Sequence, residues 1–275
     1  MRTGECGTRQ PGPIKACLFD LDGTLIDSEP LKTQSHVRTV LALVNGAALA
    51  EGEIVDAVNR LIGVPTRETA VDLIARFGLE REVLARQKEL GLDEPWEAYS
   101  ALQHEHYRRI VEQPGTLVRR QFPGAVALLK RARELGLKTA LGSMSFRRDV
   151  ERTLAILGWT EWFDVVLTGD EVSRGKPDPE IYLSLAARLK VRPPECLVLE
   201  DSPSGIGAAL AAGMVCVAVP NELTRKAVLA MQGLAAACLV LDQARLVEKV
   251  EQWLPEFGRA AKNRTGSVSN EARQH

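Results

Sequence analysis

Short apolar runs alternate with amphipathic helical patterns along most of this 275-residue chain, and that alternation constrains its fold more than any other feature. The runs at 15–19, 138–141, 165–167, 196–199 and 215–219 read as strands, with a weaker one at 238–241. Helical patterns at 125–135, 147–157 and 179–189 lie between them, the first two ended by Gly136 and Gly158. Strands separated by helices in this way predict an α/β core, a doubly wound parallel sheet with helices on both faces. Ligands bind beyond the carboxyl ends of such strands, so the polar residues just after each strand are the first suspects.

One stretch breaks the alternation. From 30 to 117 there is no strand pattern, only helical ones at 34–43, 53–61, 67–76, 80–89 and 96–111. This region reads as an all-helical domain inserted into a loop, which leaves a discontinuous core at 13–29 and 118–257. The segments 1–12 and 258–275 are polar and read as flexible tails. With 45% hydrophobic residues the chain has enough apolar material to bury a core in both regions. A net charge of −1 gives no overall pull toward nucleic acid or a membrane surface. The longest apolar stretches, such as 208–219 with Gly213 inside it, are too short to span a bilayer. Residues 1–12 lack an apolar signal core, and Cys6, Cys17, Cys196, Cys216 and Cys238 are scattered without metal-type spacing. The expectation is a cytoplasmic monomer with buried free thiols.

Four strand ends carry chemistry. After the first strand, Asp20 and Asp22 alternate along an extended segment and can face the same way, with Gly23 allowing a sharp turn. Two carboxylates placed together repel unless a cation sits between them or one takes up a proton. A hard divalent ion such as Mg2+ resolves that conflict and also suits a phosphate substrate. After the second strand, Ser143 and the backbone amide of Met144 can bind phosphate oxygens. After the third, Lys176 precedes Pro177, Asp178 and Pro179, with Asp178 as a helix N-cap and Pro177 keeping the chain extended. Its ammonium can reach a phosphate or neutralise clustered carboxylates. The fourth strand ends in Glu200 and Asp201, a second acidic pair that needs a cation or a hydrogen-bonded partner.

In this order, Asp20-Leu21-Asp22-Gly23-Thr24, Ser143, Lys176-Pro177-Asp178-Pro179 and Glu200-Asp201-Ser202 resemble the four signature motifs of the haloacid dehalogenase superfamily. The helical insert, Asp27-Ser28-Glu29-Pro30 and Gly63-Val64-Pro65 resemble its β-phosphoglucomutase-like and sugar-phosphate phosphatase subgroup. The resemblance implies a Rossmann-like core, a helical cap and a phosphatase acting on a small phosphorylated metabolite. It implies Asp20 as nucleophile, Asp22 as acid and base, and Mg2+ held by Asp20, the Asp22 carbonyl and Asp201, with Glu200 beside them. Ser143 and Lys176 are then phosphate binders, and Arg147 and Arg67 candidate anion binders. Two departures disfavour a mutase: Lys32 stands where mutase-like members carry histidine, and Phe146-Arg147 where they carry lysine and asparagine.

Overall fold

The computed structural model describes residues 13–44, 49–62, 64–234 and 238–254. The expected tails, Cys6 and Gly63 lie outside them. The described residues divide into two units, one made of those up to Asp27 and from Arg120 onward, the other of those within Ser28–Arg119.

The first unit is built on β1 (Ala16–Phe19), β2 (Lys138–Gly142), β3 (Val165–Leu167), β4 (Cys196–Glu200), β5 (Val215–Ala218) and β6 (Cys238–Leu239). They form one sheet in the order β3-β2-β1-β4-β5-β6, with every neighbouring pair parallel. Ala16 pairs with Lys138 on one side and Cys196 on the other, so Phe19 lies level with Leu141 and Leu199. The residues leaving the centre of the sheet therefore emerge side by side. The chain runs from β1 out to β2 and β3, then returns to place β4 on the opposite flank of β1. That reversal puts the topological switch point between β1 and β4, where ligands bind in sheets of this kind.

The second unit is all-helical: α1 (Glu29–Leu43), α2 (Glu51–Arg60), α3 (Thr66–Phe77), α4 (Glu80–Leu90), α5 (Pro95–Val111) and α6 (Thr116–Arg119). It has its own core, in which Val37, Val40, Ile54, Leu73, Val83 and Tyr99 are buried together. α5 starts cleanly because Pro95 stands in its first turn and the Glu97 carboxylate accepts the Glu94 N–H at 3.0 Å. Inside this unit His36 Nδ1 lies 3.0 Å from the Tyr99 hydroxyl. His104 is turned back on its own helix, its Nδ1 2.9 Å from the Ser100 carbonyl.

Around the sheet lie α7 (Pro123–Glu134), α8 (Arg147–Leu157), α9 (Glu180–Leu189), α10 (Pro203–Ala211), α11 (Arg225–Ala230) and α12 (Leu246–Trp253). Ala16, Leu18, Ala140 and Val198 pack with Ile181, Tyr182 and Leu185 of α9 and Ile206 and Ala209 of α10. α7 packs on β1 and β2, and α12 on α7. All four β1 residues are fully buried, which explains their uninterrupted apolar run. Burying a side chain such as Leu18 stabilises the fold by roughly 2–3 kcal/mol. α8 ends as expected at Gly158, whose φ of 69° is the left-handed conformation that glycine adopts without strain.

Three expectations need correction. Asp178 does not occupy the N-cap position of α9; Pro179 does, and the Asp178 carboxylate accepts the Glu180 N–H at 3.0 Å. The preceding residues turn instead of extending, because the Asp178 N–H donates to the Gly175 carbonyl at 3.0 Å. Cys17, Cys196 and Cys216 are buried free thiols, but Cys238 is disulfide-bonded. No helix among the described residues is long and apolar enough to cross a membrane.

Candidate active site

Asp20 follows β1 directly and is buried, its N–H donating to the Leu199 carbonyl of β4 at 3.1 Å. The chain then folds back tightly. The N–H groups of Leu25 and Ile26 both donate to the Leu21 carbonyl at 3.0 Å, and the Gly23 N–H donates to Ile26. Gly23 has φ +87°, and a Cβ there would stand 2.6 Å from Asp201 Oδ2. Conformation and close approach both demand glycine at this turn. Asp22 sits inside the loop, where its Oδ2 accepts a hydrogen bond from Ser145 Oγ at 2.6 Å.

Lys176 is the hub. Its side chain is only 4% exposed, and Nζ donates to Asp20 Oδ1 at 2.7 Å, Glu200 Oε1 at 2.6 Å and the Gly142 carbonyl at 2.9 Å. An ammonium carries three N–H donors, and these three acceptors match them. The Tyr182 ring lies beneath, its centroid 5.1 Å from Nζ. Burial pulls the Lys176 pKa down, but the charges of Asp20 and Glu200 outweigh it and the net shift is upward, so the lysine is firmly cationic.

Glu200 is fully buried and multiply bonded. Its Oε1 also accepts from the Tyr182 hydroxyl at 2.6 Å, and its Oε2 faces the N–H groups of Asp201 at 3.1 Å and Ser202 at 3.4 Å. A Cβ at position 205 would fall 1.8 Å from Glu200 Oε1, so Gly205 shapes the cradle that holds this carboxylate. Ser202 caps α10, its Oγ accepting the Gly205 N–H at 3.1 Å. Burial, with the nearby Glu200 charge, raises the Tyr182 hydroxyl well above its usual range, keeping it a donor.

Asp201 is buried, with Oδ1 accepting from Thr24 Oγ1 at 3.1 Å and Oδ2 from Asn221 Nδ2 at 2.9 Å. Asp20, Glu200 and Asp201 each offer a carboxylate oxygen, and the three lie within 4.8 Å of one another. Burial raises Asp20 to about 7 against the lowering influence of Lys176, and burial with the charges of Asp20 and Glu200 raises Asp201 to about 8. One lysine cannot balance three clustered carboxylates. The donor set is hard, anionic and buried, and it fits a divalent cation.

Ser143 is buried just past β2, its Oγ accepting the Ser145 N–H at 3.1 Å. Met144 follows, half-exposed and packed against Gly169 and Gly175, where a Cβ would meet its carbonyl oxygen at 2.5 Å and its methyl at 2.8 Å. Arg147, a predicted anion binder, is engaged elsewhere in its own unit. Arg147 pairs with Glu171, donates to the Val166 carbonyl at 2.9 Å and lies 3.6 Å from Glu151. Its charge is thus balanced by two carboxylates, and it ties α8 to the segment around β3 in place of presenting a free cation. Arg67 stands exposed in the first turn of α3, in the helical unit. Sequence reasoning missed Ser145, Thr24, Asn221 and Tyr182. The first three lie just past strand ends, where the same polar-residue rule finds them; Tyr182 reads as an ordinary core aromatic.

Comparison with known proteins gives consistent results. The family model described as haloacid dehalogenase-like hydrolase matches residues 14–213. Phosphorylated carbohydrates phosphatase of Thermotoga maritima is 32% identical over 73% of this chain and 82% of its own length. Hexitol phosphatase B of Escherichia coli K12 is 32% identical over 76% of this chain and 85% of its own length. The crystal structure of CbbY from Rhodobacter sphaeroides with xylulose-1,5-bisphosphate is 26% identical at a TM-score of 0.63, covering 85% of this chain and 96% of that one.

Proposed function

The chain belongs to the haloacid dehalogenase-like hydrolases and is a phosphatase, and on that premise we propose that Asp20 is its nucleophile, acting on a phosphorylated sugar or related metabolite. The observation that carries this reading is the Lys176 bridge from Asp20 to Glu200 inside a buried carboxylate cluster at the switch point of the sheet.

The reaction has two displacements at phosphorus. The Asp20 carboxylate attacks phosphorus in line, the bond to the leaving oxygen breaks, and an aspartyl phosphate forms. Asp22 gives a proton to the departing alcohol. It then removes a proton from the water that attacks the aspartyl phosphate, and inorganic phosphate leaves with Asp20 restored. Lys176 favours the ionised form of Asp20 and offers positive charge to the phosphoryl oxygens, and the hydroxyl of Ser143 with the amide of Met144 binds them from the β2 side. Asp20, the Asp22 carbonyl and Asp201, with Glu200 beside them, would hold Mg2+, which when bound would supply charge stabilisation to the transferring group. The helical unit, including Arg67, is the proposed source of selectivity for the alcohol.

The names of the relatives support carbohydrate and polyol phosphates as the substrate class. The test is phosphate release from a panel of sugar and polyol phosphates with and without Mg2+. Turnover that needs Mg2+ and vanishes in Asp20→Asn is expected; full activity in that variant refutes the assignment.

A further inference from the structure

Asn221 lies just beyond the end of β5, and its side chain is bonded at every position. Nδ2 donates to Asp201 Oδ2 at 2.9 Å and to the Gly23 carbonyl at 3.2 Å, while Oδ1 accepts the N–H groups of Leu223 at 2.9 Å and Thr224 at 3.1 Å. A primary amide has two N–H donors and two acceptor lone pairs, so this carboxamide is used in full. Its orientation is also determined. Turning it over would set its oxygen against a carboxylate and a carbonyl, and its nitrogen against two N–H groups.

The amide therefore joins three separate strand ends: the turn after β1, the acid after β4 and the loop after β5. It and Thr24 each bond one oxygen of Asp201, and these two partners, like the Thr224 hydroxyl that also bonds this carboxylate, are neutral. Neutral partners leave the full negative charge of Asp201 for a cation. We infer that Asn221 is a positioning residue for the cation site, holding the Asp201 carboxylate and the Gly23 peptide in the geometry that a divalent ion requires. The inference rests on the reading of Asp201 as a metal ligand. Partners that orient a ligand in this way commonly change metal affinity by about 10–100-fold when removed.

The experiment compares the full wild-type chain with Asn221→Ala, Asn221→Ser and Asp201→Ala. Serine keeps an oxygen for the turn N–H groups but is too short to reach Asp201, so it separates loop closure from orientation of the ligand. Mn2+ is titrated into chelator-treated protein while free ion is counted by electron paramagnetic resonance, and Mg2+ affinity follows by competition. Both Asn221 variants should bind Mn2+ and Mg2+ about 10–100-fold more weakly, with substrate KM at saturating Mg2+ within about twofold of wild type. If they melt lower in chelator yet bind both ions with wild-type affinity, Asn221 only closes the loop and the inference is overturned. Asp201→Ala separates the two readings. If it too leaves metal affinity intact, the assignment of Asp201 as a ligand fails first; if it abolishes binding while the Asn221 variants do not, the Asn221 inference alone fails.

Discussion

Ser145→Ala offers a sharp test of the acid role assigned to Asp22. The Ser145 hydroxyl donates to Asp22 Oδ2 at 2.6 Å, whereas its N–H and carbonyl make separate bonds, to Ser143 Oγ and from the Gly169 N–H, that alanine retains. The substitution thus removes one hydrogen bond to a carboxylate with little other change. Such charge-assisted bonds contribute about 1.5–3 kcal/mol, and loss of orientation at the acid translates that into roughly a 10–100-fold fall in rate. The assay is kcat/KM, which covers the steps through departure of the alcohol. On an alkyl phosphate, whose leaving oxygen needs a proton, the fall should be of the order of 10–100-fold. On p-nitrophenyl phosphate, whose leaving group departs without one, it should be less than about threefold. Equal losses on both substrates would place Ser145 on the phosphoryl group and refute its action through Asp22. Asp22→Asn is the control, because it must show the same selectivity if Asp22 is the acid.

Two further predictions concern stability. Burial, then the neighbouring His104 and Lys32 charges, lowers His36 to about 4, below the value of about 6.5 for an unfolded histidine. The unfolded chain therefore binds the extra proton first, and this contribution to stability is complete above pH ~6.5 and lost as pH falls toward 4. Urea denaturation of wild type and His36→Gln at pH 7.5 and 5.0 should show wild type losing roughly 1–2 kcal/mol more on acidification; parallel losses would contradict the shift. At the end of α9, Lys190 has φ 56°, which strains any residue with a Cβ. Lys190→Gly should raise stability by about 0.5–1 kcal/mol, read as a higher melting temperature, and a lower one would show that the lysine side chain contributes more than its backbone costs.

Much of the fold was legible because the signals for it are local. The period of the apolar residues reports burial on one or both faces, and β1 to β6 form near the runs that this period marks. The helices of the insert follow in the same way from 3.6-residue spacing and their terminal residues. Asp20, Lys176, Glu200 and Asp201 were also legible, since acids and a lysine at successive strand ends meet wherever a parallel register brings those ends level.

What escaped prediction depends on partners distant in sequence. Arg147 looks free until Glu171 is folded against it. Nothing in the residues around Cys238 distinguishes a bonded sulfur from the three buried thiols. Asn221 is a polar loop residue until β5 carries it beside Asp201 and Gly23, and Tyr182 is a core aromatic until α9 sets its hydroxyl on Glu200. The sequence by itself determined which groups are present and on which end of the sheet they emerge, because pleat and period are properties of the chain. Only the tertiary structure decided which donor meets which lone pair, because hydrogen bonds and ion pairs act over about 3 Å and depend on contacts closed across the whole fold.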